Sequence, residues 1–295
     1  MTQDNIPVCQ GPDPKPKKPN FEIPPLACDT HAHIFGPESK YDYSPRRGYT
    51  PPDASLEDYL RLHAVLGMER GVLTQPSVYG VDNTAMLDAV AREPDRLRAV
   101  AAVDATVSDA ELERLNDAGV RGIRVNIVDK GGNPFSDMAA VEHMADRIRG
   151  FGWHIEVLIH VSDFPDLRKT FARFPVDIVF GHLGYMKTDK GLNNPGFQDF
   201  LGLLSDGNCW VKLTGTYRIT TLATTPYDDV QPYAAALIET APDRILWGSD
   251  WPHPFVKMQM PNDGDLLNML ADFAPDAAMR KRILVDNPKV LYGFE

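Results

Sequence analysis

The chain has 295 residues, 43% hydrophobic and 24% charged, which is typical of globular proteins with a large core. A net charge of −11 argues against a general nucleic-acid or anionic-membrane surface, so an anion would need locally placed arginines. The three cysteines are scattered and indicate neither a disulfide framework nor a cysteine zinc site, and no segment predicts a membrane span or signal peptide, so a cytoplasmic location is expected.

The first segment of the chain is rich in proline, with seven prolines among the first 25 residues. Proline fixes φ and removes a backbone donor, so helices and inner strands are disfavoured there. We therefore expect residues 1–25 to form an extended N-terminal arm, and residues 26–295 to form a single domain.

From residue 26 onward, short apolar or β-branched runs alternate with amphipathic helical patterns. Two of the helices begin with capping sequences, at Ser55 and Ser108. The predicted strands are 26–31, 71–76, 98–104, 121–127, 154–160, 177–182, 209–214 and 244–250. Eight strands alternating with helices predict a (β/α)8 TIM barrel. A doubly wound open sheet is the alternative, but the G-x-G-x-x-G turn typical of that fold does not occur.

Polar residues are concentrated at the carboxyl ends of the predicted strands, where the active site of a (β/α)8 barrel lies. They are His31, His33, Arg124, His160, His182, Arg218, Asp250 and His253. His31 and His33 alternate along one strand and therefore point to the same side. Burying three imidazoles and a carboxylate without a function would be destabilising. We therefore interpret one subset as catalytic, namely His31, His33, His182 and Asp250. A single histidine such as His253 is more often a hydrogen-bonded core residue.

The order of these residues resembles the amidohydrolase superfamily, from residue 26 to the C-terminus. Further similarity to the lactonase branch of the amidohydrolase-2 group lies in residues 75–83, 122–126, 245–254 and 286–288. This branch includes lactonases of the 2-pyrone-4,6-dicarboxylate and 4-sulfomuconolactone type. The resemblance implies hydrolysis of a small lactone that carries carboxylate or sulfonate groups, in bacterial degradation of aromatic compounds.

The resemblance also implies roles for individual residues. Asp250 would activate water, and the histidines or a metal that they hold would polarise the carbonyl. Arg124 and Arg218 would bind the acidic groups, because planar guanidinium donors suit carboxylates and sulfonates. The alternative is that both arginines form internal salt bridges. Further substrate contacts are expected from Ser77, Tyr49 and His253, and the loop 36–54 is long enough to act as a lid.

His160 bears on the choice of cofactor. The dicarboxylate lactonases lack a histidine at the end of strand 5 and work without metal, whereas metal-dependent amidohydrolases place a ligand there. The sequence therefore favours one divalent ion, with zinc expected. Its ligands would be His31, His33, His160, His182 and Asp250. A metal-free mechanism is the alternative.

The same residues are compatible with one other class of enzyme, and the sequence argues against three further classes of protein. A zinc-dependent decarboxylase or hydratase of an unsaturated carboxylic acid would use the same residues. A non-catalytic anion-binding protein is disfavoured, because Asp250 would repel the ligand. A serine esterase or a P-loop protein is not supported, since neither G-x-S-x-G nor a Walker motif occurs. A homo-oligomer is possible, and no nucleic-acid or membrane partner is expected.

Overall fold

The computed structural model describes residues 6–128 and 134–295. Eight parallel strands follow one another around a nearly closed barrel in the order β1 to β8. The strands are β1 Cys28–Ala32, β2 Arg70–Thr74, β3 Leu97–Ala101, β4 Val120–Asn126, β5 His154–Leu158, β6 Ile178–Phe180, β7 Cys209–Leu213 and β8 Ile245–Trp247. The prediction of a (β/α)8 barrel is confirmed.

Helices connect the strands and extend beyond β8. They are α1 Leu56–Leu66, α2 Thr84–Arg92, α3 Asp109–Asp117, α4 Met138–Ile148, α5 Leu167–Phe171, α6 Pro195–Asp206, α7 Gln231–Thr240, α8 Asp263–Phe273, α9 Ala277–Lys281 and α10 Asn287–Tyr292. The Ser55 hydroxyl accepts the Asp58 N–H at 3.2 Å, and the Asp58 carboxylate accepts the Ser55 N–H at 3.0 Å, so the predicted cap of α1 is confirmed. Within the described ranges, none of the helices has the length and apolar character to span a bilayer.

The barrel closes just beyond the end of β8. The Asp250 N–H donates to the His31 carbonyl at 2.8 Å, and the His33 N–H donates to the Trp251 carbonyl at 2.8 Å. A Cβ at Gly248 would lie 2.7 Å from the Cβ of His31, so only glycine allows the two segments to approach this closely. Barrel closure therefore brings the first and last predicted functional residues together.

The barrel interior is layered. An apolar cluster joins residues of six strands to the C-terminal segment, namely Cys28, Val72, Val100, Val179, Trp210, Leu246, Leu291, Tyr292 and Phe294. Because strand side chains alternate, Lys212 points to the same side as Trp210, and Glu156 to the same side as His154. These buried charged side chains lie between the apolar layer and the rim that carries the histidines.

The described part of the proline-rich segment, residues 6–25, contains no helix and lies along the barrel. The Cys9 N–H donates to the Thr50 carbonyl at 2.8 Å. The Lys17 N–H donates to Asn262 Oδ1 at 2.9 Å. A Cβ at Gly264 would lie 2.2 Å from the Lys17 carbonyl oxygen, so the arm packs closely on the start of α8.

Candidate active site

His31 and His33 lie at the carboxyl end of β1 and are buried. The pairing of β1 with β2 is irregular between Asp29 and Ala32, where the histidines emerge. His33 Nδ1 lies 2.7 Å from the Thr74 carbonyl oxygen. A carbonyl only accepts, so Nδ1 carries the proton and Nε2 presents a lone pair.

Asp250 follows β8 and is fully buried. One of its oxygens, Oδ2, accepts hydrogen bonds from the Tyr217 hydroxyl at 2.5 Å and from Arg218 Nε at 2.7 Å. The other, Oδ1, lies 3.7 Å from His31 Nε2 and 3.6 Å from His33 Nε2. Burial alone would raise the pKa of this carboxyl, but the Arg218 guanidinium and the contacts with His182, His33 and His31 together outweigh burial and hold the pKa well below its usual value. Asp250 is therefore ionised at neutral pH.

His182 follows β6, and its Nδ1 lies 4.0 Å from Asp250 Oδ2. The backbone φ is +50° at His182 and +64° at Asp250, in the left-handed region that costs a non-glycine residue about 1–2 kcal/mol. A Cβ at Gly215 would lie 2.5 Å from His182 Nδ1, so the loop after β7 approaches the imidazole without a side chain. The backbone is thus strained and closely packed where the two side chains converge.

The three imidazoles are held neutral. Burial lowers the pKa of His31 to about 3, with a further contribution from the nearby Lys212 ammonium. Burial also lowers the pKa of His33, and it places that of His182 well below the ordinary value. Each ring therefore presents a lone pair at neutral pH.

Three of these residues form a donor set suited to a cation. One potential ligand atom from each of His31, His182 and Asp250 lies within 4.8 Å of the other two. Within the described ranges, His31 Nε2, His182 Nδ1 and Asp250 Oδ1 have no hydrogen-bond partner, although all three are buried. Two nitrogens and a carboxylate oxygen match the ligands that zinc takes in catalytic sites. The residues therefore fit a divalent ion.

The structure does not bring His160 into this set. β5 ends at Leu158, and the chain turns away before His160. Its Nδ1 lies 3.4 Å from the Tyr185 carbonyl oxygen, and its ring lines a cavity of about 320 Å³ that shares Tyr185, Arg218 and Phe255 with the cavity beside Asp250. His160 lies outside the donor set because the strand ends two residues earlier than the sequence pattern predicts, and its role as a ligand stays a prediction.

His253 is also placed differently from the prediction. It is fully buried, with Nδ1 3.2 Å from the Tyr217 hydroxyl and Nε2 3.0 Å from Asp263 Oδ1. Both ring nitrogens are occupied by protein groups, and the ring does not line the cavity beside Asp250. His253 therefore supports Tyr217 from behind, and the expected substrate contact stays a prediction that these hydrogen bonds do not favour.

The two predicted arginines differ in their partners. Arg218 donates from Nε to Asp250 and from Nη2 to the Pro254 carbonyl at 3.0 Å, so the internal salt bridge considered as the alternative exists. Arg124 donates to the Gln75 carbonyl at 3.0 Å, and no carboxylate in residues 6–128 or 134–295 lies within salt-bridge distance of it. Arg124 is therefore the better placed of the two to bind an anion.

Two cavities that share lining residues lie at this rim. The smaller, about 20 Å³, is lined by His33, His182 and Asp250 and has room for about one water molecule. The larger, about 610 Å³, shares Ser77 and Arg124 with the smaller one. The cavity beside Asp250 is too small for a lactone, so side chains in its wall must move for a substrate carbonyl to reach Asp250.

Tyr49 lies where the sequence predicts a substrate contact, on the wall of the smaller cavity. Its ring stacks on that of Phe255, with centroids 5.7 Å apart. This pair joins the loop after β1 to the loop after β8. The stacked rings of Tyr49 and Phe255 therefore form part of the wall of the smaller cavity, and they would have to move for a substrate to enter it.

Three further residues at the site were missed by sequence reasoning: Tyr217, Glu156 and Lys212. Tyr217 gave no signal apart from its position beside Arg218. Glu156 and Lys212 are charged residues in the middle of otherwise apolar strands, which is an unusual pattern for a buried parallel sheet. That pattern is the signal that could have identified them.

Comparisons with known proteins agree with this geometry. The family model described as amidohydrolase matches residues 28–294. A 4-sulfomuconolactone hydrolase from Rhizobium radiobacter is 43% identical over 99% of this chain and 98% of its own length. A 2-pyrone-4,6-dicarboxylate hydrolase from Comamonas testosteroni is 38% identical over 95% of this chain and 94% of its own.

Among solved structures, a probable 2-pyrone-4,6-dicarboxylic acid hydrolase from Acinetobacter baumannii, with citric acid bound, is 27% identical. It superimposes with a TM-score of 0.81 over 91% of this chain and all of that one. The family match covers nearly the whole barrel, including each strand end that contributes to the site. The chain belongs to the amidohydrolase family.

Proposed function

We propose that this protein hydrolyses a small lactone carrying carboxylate or sulfonate groups, of the 4-sulfomuconolactone or 2-pyrone-4,6-dicarboxylate type. The observation that carries the proposal is a buried, ionised Asp250 beside neutral imidazoles and a cavity with room for about one water. The relatives named as lactone hydrolases support the substrate class.

In the proposed reaction, a water molecule beside Asp250 gives a proton to the carboxylate and attacks the lactone carbonyl carbon. The ring C–O bond then breaks, and the proton on Asp250 passes to the departing ring oxygen. The product is an open-chain acid. The pairing with Arg218 makes Asp250 a weak base, and an anionic substituent that attracts Arg218 would strengthen it.

Orientation of the substrate is assigned to the wall shared by the two cavities. Arg124 would bind one acidic group there and Ser77 would contact the ring, while Tyr49 would contact it from the wall of the smaller cavity. Arg218 would contact the substrate only through the guanidinium hydrogens that it does not donate to Asp250 and to the Pro254 carbonyl.

A divalent ion, with zinc expected, would be held by His31, His182 and Asp250, with His33 beside them. When bound, such an ion supplies Lewis-acid polarisation of the carbonyl and lowers the pKa of water. We expect calorimetric titration of chelator-treated protein with zinc to show one site, and Asp250→Ala to weaken binding at least tenfold. Equal affinity in the variant would exclude this donor set.

Activity is tested with a pH-indicator screen against carboxylated and sulfonated lactones. The wild type should release one equivalent of acid per ring opened, and Asp250→Asn should lower kcat by about 10²–10⁴-fold with its circular dichroism unchanged. Turnover close to wild type in Asp250→Asn would refute the assigned role.

The same screen separates hydrolysis from the alternative reactions. A decarboxylase would release CO2, and a hydratase would remove a C=C absorbance without opening a ring. Either signal, in the absence of acid release from every lactone, would replace the proposed function.

A further inference from the structure

A charged pair lies inside the barrel, directly below the imidazole of His31. Lys212 on β7 is fully buried and Glu156 on β5 is nearly so, and Lys212 Nζ lies 2.5 Å from Glu156 Oε2. Burying such a pair often adds little net stability compared with apolar residues of similar size. Its position beneath a site residue therefore points to a role other than stability.

Both members of the pair reach the same atom. Glu156 Oε1 lies 3.2 Å from His31 Nδ1, and Lys212 Nζ lies 3.3 Å from that nitrogen. A neutral imidazole nitrogen either donates to a carboxylate or accepts from an ammonium group. The pair therefore decides which nitrogen of His31 carries the proton, and so what the ring presents to Asp250.

The two distances to His31 Nδ1 differ by only 0.1 Å, so the other contacts of Lys212 bear on the choice. Lys212 directs two of its three hydrogens to nearer acceptors, Glu156 Oε2 at 2.5 Å and the Thr30 carbonyl at 2.7 Å. A protonated Nδ1 can form a charge-assisted N–H···O⁻ bond with Glu156 Oε1, which is stronger than a bond between neutral groups. The same tautomer leaves the lone pair of Nε2 beside Asp250 Oδ1, which is repulsive without a cation and favourable with the divalent ion that the donor set fits.

We propose that Glu156, oriented by Lys212, is a positioning residue that holds His31 in the Nδ1–H tautomer, with the lone pair of Nε2 directed towards Asp250. His33 reaches the same state by another route, since its Nδ1 faces the Thr74 carbonyl. Both rings of the His-x-His motif then present lone pairs to the Asp250 carboxylate. Such an arrangement suits a cation between them, as a carboxylate behind a metal-binding histidine does in general.

The test compares two double variants that remove the charged pair without creating an unpaired buried charge. Glu156→Gln with Lys212→Met keeps an amide oxygen that accepts from His31 Nδ1. Glu156→Leu with Lys212→Met is of similar size and lacks the acceptor. The tautomer is read directly from long-range ¹H–¹⁵N spectra of protein labelled with [¹⁵N]histidine, with His31 assigned by comparison with His31→Asn.

In the wild type and the Gln/Met variant, we expect a proton on His31 Nδ1 and none on Nε2. In the Leu/Met variant, Nε2 should become protonated in a substantial fraction of molecules. The His33 signals should stay unchanged in all three proteins, which serves as an internal check on the fold. A proton on His31 Nε2 in the wild type would overturn the proposal, even if the Leu/Met variant does not fold, and so would an unchanged tautomer in a folded Leu/Met variant.

The effect on turnover rests on the proposed function, whereas the tautomer measurement does not. We expect the Leu/Met variant to lower kcat by about 10–100-fold with little change in KM, and the Gln/Met variant to recover most of that loss. If no lactone is hydrolysed, the spectra still decide the role of Glu156. Equal kcat in the two folded variants would show that the tautomer does not matter for the reaction.

Discussion

Two groups of buried histidines differ in what their ring nitrogens face. One group converges on Asp250 and consists of His31, His33 and His182. The other group is dispersed and consists of His63, His154 and His253. Burial lowers the pKa of His63 and of His154 to about 3, as it does for His31. A buried, neutral imidazole is therefore not by itself a sign of a functional site.

The difference lies in the surroundings of the nitrogens. The His154 ring packs edge-on against Tyr292 with centroids 5.4 Å apart, and the His63 ring packs against Tyr59 at 4.1 Å. In the first group, the rings of His33 and His182 lie 5.0 Å from that of His31, and all three face one carboxylate. Convergence on a shared charge, rather than depth of burial, distinguishes the site.

The largest expected effect separates the two groups by turnover. His182→Asn should lower kcat/KM for the hydrolysed lactone by about 10²–10⁴-fold, because the site loses an imidazole at the reacting carbonyl. His154→Asn should change kcat/KM by less than about threefold, since its ring lies in the apolar layer. Steady-state kinetics on folded variants checks both values, and comparable losses in the two would break the distinction.

A smaller effect is expected from a glycine beside His182. In Gly215→Ala the new Cβ would press on His182 Nδ1, and a displacement of about 1 Å at a reacting group costs up to about 10²-fold. Gly152→Ala is the matched control, because its φ of +69° resembles the +61° of Gly215 and no atom lies within 4 Å of its Cβ. Urea unfolding should show a stability loss of about 1–2 kcal/mol in Gly152→Ala and a larger loss in Gly215→Ala, and only Gly215→Ala should lose kcat. Equal kcat values would show that the close approach is irrelevant to the site.

The smallest effect is one that the two groups share, the pH dependence of stability. A histidine with a pKa of about 3 in the folded protein and about 6.5 when unfolded binds its proton more readily in the unfolded state. Its contribution to the unfolding free energy is therefore complete above pH 6.5 and is lost as the pH falls towards 3, by at most about 1.4 kcal/mol per pH unit.

His154→Asn and His31→Asn should flatten that slope to a similar degree. Urea unfolding at pH 7, 6 and 5 measures it. The carboxyl of Asp29, whose pKa burial raises to about 6, acts in the opposite direction but is common to all the proteins compared. A slope that changes only in His31→Asn would show that His154 is not buried in neutral form.

Sequence reasoning identified the rim but not all of its contacts. The alternation of strands and helices, and the order of the histidines and Asp250 along the chain, were sufficient to predict the barrel and its catalytic end. His160 lies outside the donor set because β5 ends at Leu158. His253 lies behind Tyr217 because the chain turns there after β8. Such boundaries depend on tertiary packing and are poorly encoded in a local pattern.

The sequence by itself determined that His31, His33, His182 and Asp250 reach the carboxyl rim, because strand periodicity and parallel topology leave few alternatives. Only the tertiary structure decided what they touch there. The pairing of Arg218 with Asp250, and the Glu156–Lys212 pair beneath His31, join residues far apart in the chain whose contact depends on barrel closure and register. Proton positions and pKa values follow from those contacts, since electrostatic effects in a dry interior act over a few ångströms.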